Sequence, residues 1–118
     1  MIINPKLIAS QNYSTSEKKI GIWVDNKPLY RKTISVGALP NGEKTINHGI
    51  SNLKRVVNMY GCAYRSSDGS NIPLMNSTYN NLASSIYVKS TTLTIVTFSD
   101  RTAFKEAYVT LEYTKTTD

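Results

Sequence analysis

A chain of 118 residues has room for one domain with a single core and not for two. Only 19% of it is charged, and 13 Thr, 13 Ser, 11 Asn and 8 Tyr fill the gap, residue types that favour strands and turns over helices. The balance is basic, +6 at neutral pH, but the 14 Lys and Arg form no run and no motif interleaved with aromatics, which speaks against nucleic acid as a partner.

So scattered a set of cations reads as a solvated, edge-protecting distribution, with attraction to an anionic surface such as a cell-wall polymer as the sharper alternative. No apolar run approaches the ~20 residues that span a bilayer, so membrane insertion is not expected. The start, Met1 to Ser10, lacks a basic opening and a long hydrophobic stretch and makes a poor signal peptide. Release from a cell would then take another route, such as lysis. A lone cysteine, Cys62, excludes an internal disulfide framework, and its apolar surroundings from Val56 to Tyr64 predict a small buried thiol.

Residues 1–13 read as an extended lead-in. Pro5 disfavours helix there, and Ile2, Ile3, Leu7 and Ile8 are apolar but outside any strand pattern, as expected of contacts to a neighbouring subunit. The domain proper is expected over 14–118. Lys18 to Val24 alternates, with Ile20, Ile22 and Val24 on one side, and Asp25-Asn-Lys27 turns it into a second strand, Leu29 to Val36. Trp23 and Tyr30 are placed for cross-strand packing; Trp23 serves as a core staple or, alternatively, as a platform for stacking a sugar.

Leu39-Pro-Asn-Gly42 is a turn, Glu43 to His48 a short strand, and Gly49 to Leu53 a tight bend. Arg55 to Arg65 is the longest strand, and Gly61 within it predicts a bulge or a close backbone approach. Ser66 to Asn71 is a loop of turn residues, and Ile72 to Met75 carries Pro73 and so belongs at a sheet edge. Ser85 to Lys89 and Leu93 to Phe98 form a hairpin by their spacing. The last strand is the clearest: Ala107, Val109, Leu111 and Tyr113 alternate with Tyr108, Thr110, Glu112 and Thr114, predicting one dry and one wet face. Seven or eight short strands and no trustworthy helical period predict an all-β fold, an antiparallel β-sandwich or a related jelly-roll.

Chemistry is scarce. Serine-type catalysis needs a base, and the only histidine, His48, sits between a strand and the Gly49 bend, where an imidazole caps a turn by bonding backbone; a ligand or subunit contact is the alternative. No nucleophile elbow surrounds any serine, and the scattered Cys, His and carboxylates lack metal-ligand spacing, so neither a metal nor a cofactor is expected. Asp100-Arg101 reads as a local ion pair or a turn. Surface aromatics remain, because Tyr60, Tyr64, Tyr79, Tyr87 and Tyr108 exceed what so small a core can bury. Rings facing out can stack on sugars while Asn and Asp bond hydroxyls, and they equally suit protein interfaces. Tyr79 with Asn80 and Asn81 in a polar loop, Tyr64 and Trp23 are the candidate ligand contacts.

Four segments carry a resemblance: Tyr13 to Ile34, with its STSEKKIGIWVDNKPLYRKTI sequence after the tyrosine; Leu39-Pro-Asn41; His48-Gly-Ile-Ser-Asn-Leu53; and Ala107 to Asp118, AYVTLEYTKTTD. Together they span nearly the whole chain and resemble a small domain of phage and prophage structural proteins. Asn26 departs from the glycine usual after the aspartate of that opening. The resemblance implies a virion appendage, a tail or head fibre tip that meets host surface glycan or wall polymer, β-rich, commonly trimeric and without enzymatic activity. Its location would be the virion, assembled in a bacterial cytoplasm and released by lysis. The Met start shortly before the first motif fits either a minimal fibre protein or a tip fragment. A purely structural virion protein, such as a capsid decoration or tail connector binding other virion proteins, is the competing expectation. A small hydrolase would need activity lost on His48→Ala, which is not expected.

A trimer is expected to scatter light with three times the 13.2 kDa mass of one chain. A monomer mass would contradict the trimeric expectation.

Overall fold

The alternation in the terminal strand reaches further into the structure than any other sequence feature. In the structure, a computed structural model describing residues 12–75 and 83–118, that strand lies in the middle of the larger sheet. Eight strands form: β1 (Lys18–Ile22), β2 (Pro28–Ser35), β3 (Asn41–Asn47), β4 (Leu53–Arg65), β5 (Ser70–Pro73), β6 (Ser84–Val88), β7 (Thr92–Asp100) and β8 (Glu106–Lys115). They make an all-β antiparallel sandwich of a five-stranded sheet, β1-β2-β8-β4-β5, and a three-stranded sheet, β3-β7-β6. Two hairpins, β1–β2 and β4–β5, thus flank β8, and β6–β7 with β3 covers them.

Ala107, Val109, Leu111 and Tyr113 are all essentially inaccessible, meeting Ile34 and Ala63 of the neighbouring strands and Leu93 and Ile95 of the facing sheet in one core. The opposite side of β8 is less wet than its composition predicts. Thr110 and Thr114 are buried there, because a central strand is flanked by long side chains on both sides; Thr110 also shares a hydroxyl bond of 2.9 Å with Thr33.

The β1–β2 hairpin differs from expectation. A register irregularity between Lys19 and Gly21 breaks the alternation, β1 ends at Ile22, and Ile22 and Val24 are 68% and 87% exposed rather than forming a dry face. Tyr30 stacks on Tyr113 with ring centroids 5.9 Å apart and does not pack across to Trp23. Trp23 instead opens the turn, its amide donating to Lys27 O and its carbonyl accepting from Asn26 N. Asn26 has φ of 66°, the left-handed region that Gly prefers and Asn tolerates, which is the physical reason Asn can stand where glycine is usual.

Cys62 is not buried. It lies opposite Tyr108 on the outer side of the sheet and is exposed, because Gly61 and Ala63 take the inward positions opposite Val109 and Ala107. His48 is the turn cap expected of it. It is buried, its Nδ1 accepts from Ile50 N and its Nε2 therefore donates to Lys89 O, tying the β3–β4 bend to the β6–β7 turn. Asp100 makes the local turn, accepting from Thr102 N and Oγ1. Pro73 lies in the edge strand β5, where a missing N–H costs no ladder bond.

Two lysines point between the sheets. Lys44 Nζ donates to Val36 O and Ala38 O at 2.8 and 2.9 Å, and Lys32 Nζ to His48 O at 2.9 Å. Each ammonium satisfies carbonyls at a bend that the ladders leave without partners.

Gly61 marks a close backbone approach. A Cβ there would sit 2.5 Å from Tyr108 O and 3.0 Å from Leu74 Cδ1. Gly61→Ala is therefore expected to destabilise the domain by about 1–3 kcal/mol, seen as a lower denaturant midpoint with an unchanged slope.

Candidate functional site

The thirteen-residue strand β4 alternates Tyr60, Cys62 and Tyr64 onto the outer side of the five-stranded sheet, where β8 adds Tyr108. Tyr108 and Tyr64 are 44% and 37% exposed. Tyr13, in the segment before β1, joins them: the Arg31 guanidinium lies 4.7 Å from its ring centroid, and its hydroxyl is 3.2 Å from that of Tyr60. Arg31 Nε donates to Glu112 Oε2 at 3.1 Å, and Tyr60 Oη is 3.3 Å from the same oxygen. Four phenol rings thus share one broad face with Thr, Ser and Asn, a mixture able to stack on ring faces and bond hydroxyls.

A second feature sits at the end of the sandwich where the β1–β2, β3–β4 and β6–β7 connections meet. Between Leu53 and Arg55, and again between Val56 and Asn58, β4 holds one residue more than β8, so Lys54 and Val57 are bulged. The first bulge turns Arg55 outward, opposite Thr114, while Leu53 faces in. The second lets Val56 and Met59, three apart, both reach the inner side. Bulges re-aim side chains in this way at the margins of sheets.

Beside the first bulge the hairpin tip closes a cleft of about 250 Å³ lined by Trp23, Val24, Asp25, Lys54, Arg55 and Thr114. On the other side of Lys54 a cleft of about 340 Å³ opens between the sheets over Leu53, Val56, Met59 and Val88, with Lys89 at its rim. Lys54 borders both. Among the described residues, neither Lys54 nor Arg55 forms an ion pair, although Asp25 lines the same cleft as both.

Trp23 and Tyr64 are on the same side of the sheet but do not form one site. The nine positions of β4 from Arg55 beside Trp23 to Tyr64 cover about 30 Å. Tyr79, Asn80 and Asn81 lie outside the described residues, as do Ile2, Ile3, Leu7 and Ile8. Sequence reasoning missed Tyr13, Lys54 and Arg55 as site residues. Tyr13 needs the fold to meet Arg31, and the two cations look like ordinary strand surface until the bulge is known. His48 has both ring nitrogens committed to backbone and is not at either feature.

Three phenols are held protonated. Tyr30 is pushed up to about 12, first by donating at 2.8 Å to the Asp118 carboxylate, then by desolvation and the nearby Asp118 and Glu17 charges. Burial first, then its bond to Glu17, raises Tyr113; burial, the Tyr13 contact and the Glu112 charge raise Tyr60, with Arg31 opposing. A phenol with a raised folded pKa stabilises the fold fully below its unfolded value of about 10 and ceases to do so as pH passes the folded value. The denaturant midpoint is expected to fall as pH rises from about 10 towards 12, and tyrosinate absorbance to show three rings that ionise at higher pH than the rest. All eight tyrosines titrating together near pH 10 in the native state would contradict it.

Comparisons with protein-family models, with curated proteins and with solved structures find no match for this chain.

Proposed function

We propose that this domain is a non-enzymatic adhesion module, the tip of a phage or prophage tail or head fibre that attaches to host cell-surface glycan or wall polymer as a homotrimer. The observation that carries the reading is the outer side of the five-stranded sheet, where Tyr13, Tyr60, Tyr64 and Tyr108 stand among hydroxyl and amide side chains. Rings set on a rigid sheet lose little freedom when they stack on a sugar. The engagement of the single histidine in two backbone bonds supports a role without acid–base chemistry.

Weak contacts of this kind gain strength by repetition. Three copies on one fibre, and several fibres on one particle, raise avidity well above the affinity of one face. The resemblance of the Tyr13–Ile34 and Ala107–Asp118 segments to phage appendage domains supplies the biological setting.

The purified domain is expected to sediment with extracted bacterial cell walls, and Tyr64→Ala with Tyr108→Ala to reduce the bound fraction while lowering the unfolding free energy by no more than about 1 kcal/mol per substitution. Failure to bind any wall or cell preparation, with retention on capsid or tail particles, would favour the purely structural virion role instead.

A further inference from the structure

The hairpin-end cleft has a composition that the tyrosine face lacks, an indole together with two cations that form no ion pair among the described residues. We infer that this cleft is a subsite for an anionic saccharide unit, with the sugar ring against Trp23 and its phosphate or carboxylate on Lys54 and Arg55. The inference rests on the adhesive reading above and gives it a ligand class.

Three observations converge. Trp23 is only half-buried and lines the cleft, so part of its side chain is available to a ligand there. Lys54 and Arg55 are adjacent in sequence and would face opposite ways in a regular strand. The bulge at Lys54 leaves that residue unpaired and lets both line the same cleft. Both are exposed, and neither is neutralised by an acid among the described residues.

Other described cations without an ion pair, such as Lys18, Lys19 and Lys105, line neither cleft. Lys54 and Arg55 are set apart by their place beside an indole, where the planar guanidinium suits a two-oxygen group.

Asp25 is the one acid in the cleft wall. Its Oδ1 accepts from Lys27 N at 3.0 Å, which fixes the turn. A lone carboxylate against two cations keeps the cleft net positive. The hairpin tip is held by its own bonds, Trp23 N to Lys27 O and Asn26 N to Trp23 O, so the aromatic wall needs little ordering on binding.

Trp23 is the only tryptophan, so its emission reports on this cleft alone. The test titrates the full chain with poly(N-acetylglucosamine 1-phosphate), oligogalacturonate, neutral chitohexaose and oligothymidylate, following Trp23 emission and calorimetric heat, and in parallel measures sedimentation with extracted walls. Emission is expected to shift with one or both anionic glycans, and the affinity to weaken about tenfold as NaCl rises from about 50 to about 500 mM. The phosphate polymer alone responding assigns phosphate as the anion, and galacturonate alone assigns carboxylate. The double variant Lys54→Gln with Arg55→Gln is expected to weaken binding at least about tenfold, with an unchanged denaturant midpoint because both side chains are exposed.

Equal binding of chitohexaose, equal binding of oligothymidylate, no response to either anionic glycan, or a double variant that binds like the parent would each overturn the subsite. If the parent still sediments with walls in those cases, adhesion stands on the tyrosine face alone. If it does not, the adhesive reading itself has failed.

Discussion

Strand β8 is hydrogen-bonded along both edges, to β2 over Tyr108–Tyr113 and to β4 over Glu106–Lys115. Remove that double pairing and the large sheet becomes two separate hairpins, each with an unprotected edge and half a dry face. The same strand carries the most inaccessible stripe of the core. Tyr113 is its furthest member. Burying a phenol is acceptable there because Glu17 accepts its hydroxyl, Lys115 holds the same carboxylate at 2.9 Å, and Tyr30 stacks on the ring. One cluster thereby fastens the segment before β1 to the end of β8.

The features legible in the sequence share a property: each is local. Alternation in 107–114 is visible because β8 itself carries no extra residue, the bulges in its ladder with β4 falling on β4, and so keeps its period of two. Pro73 at an edge, Gly61 at a close approach and His48 as a turn cap follow from the residue's own backbone or side-chain capacity. What could not be read depends on a partner strand. The bulges at Lys54 and Val57, and the irregularity before Gly21, change which side each later residue faces. A period count carried across them assigns sides wrongly, as with Ile22 and Val24. Cys62 fails for a simpler reason. In a stretch as apolar as 56–64, hydrophobicity gives no phase, and only the register with β8 tells that Gly61 and Ala63 take the inside.

The candidate site was half legible for the same reason. Trp23 stood out by type, and Tyr64 by excess of aromatics over core volume. That the two are about 30 Å apart, and that Trp23 belongs with Lys54 and Arg55, is a property of topology. Net charge was equally opaque. A value of +6 read from composition treats every lysine alike, whereas Lys32 and Lys44 are spent on carbonyls between the sheets. The positive field that a partner meets is set by the remainder.

Placing the cleft on a bulge in a strand, and not on a free loop, has an energetic consequence. On either side of the Lys54 bulge, Leu53 and Arg55 pair with Lys115 and Thr114 of the strand on which the core is built, so the cation pair is held by the same bonds that hold the fold. The hairpin tip is closed by a three-residue loop, Val24 to Asn26, with Asn26 already in the left-handed region. Neither wall has to be ordered by a ligand, and loss of conformational freedom on binding is confined to the two exposed side chains. For a proposed adhesin whose single contacts are weak, that economy matters more than contact area, because each saved ordering cost is multiplied by the number of copies engaged. A stiff sheet carrying rings at one end and cations beside an indole at the other is suited to an extended polymer, which can engage both regions along a length of about 30 Å.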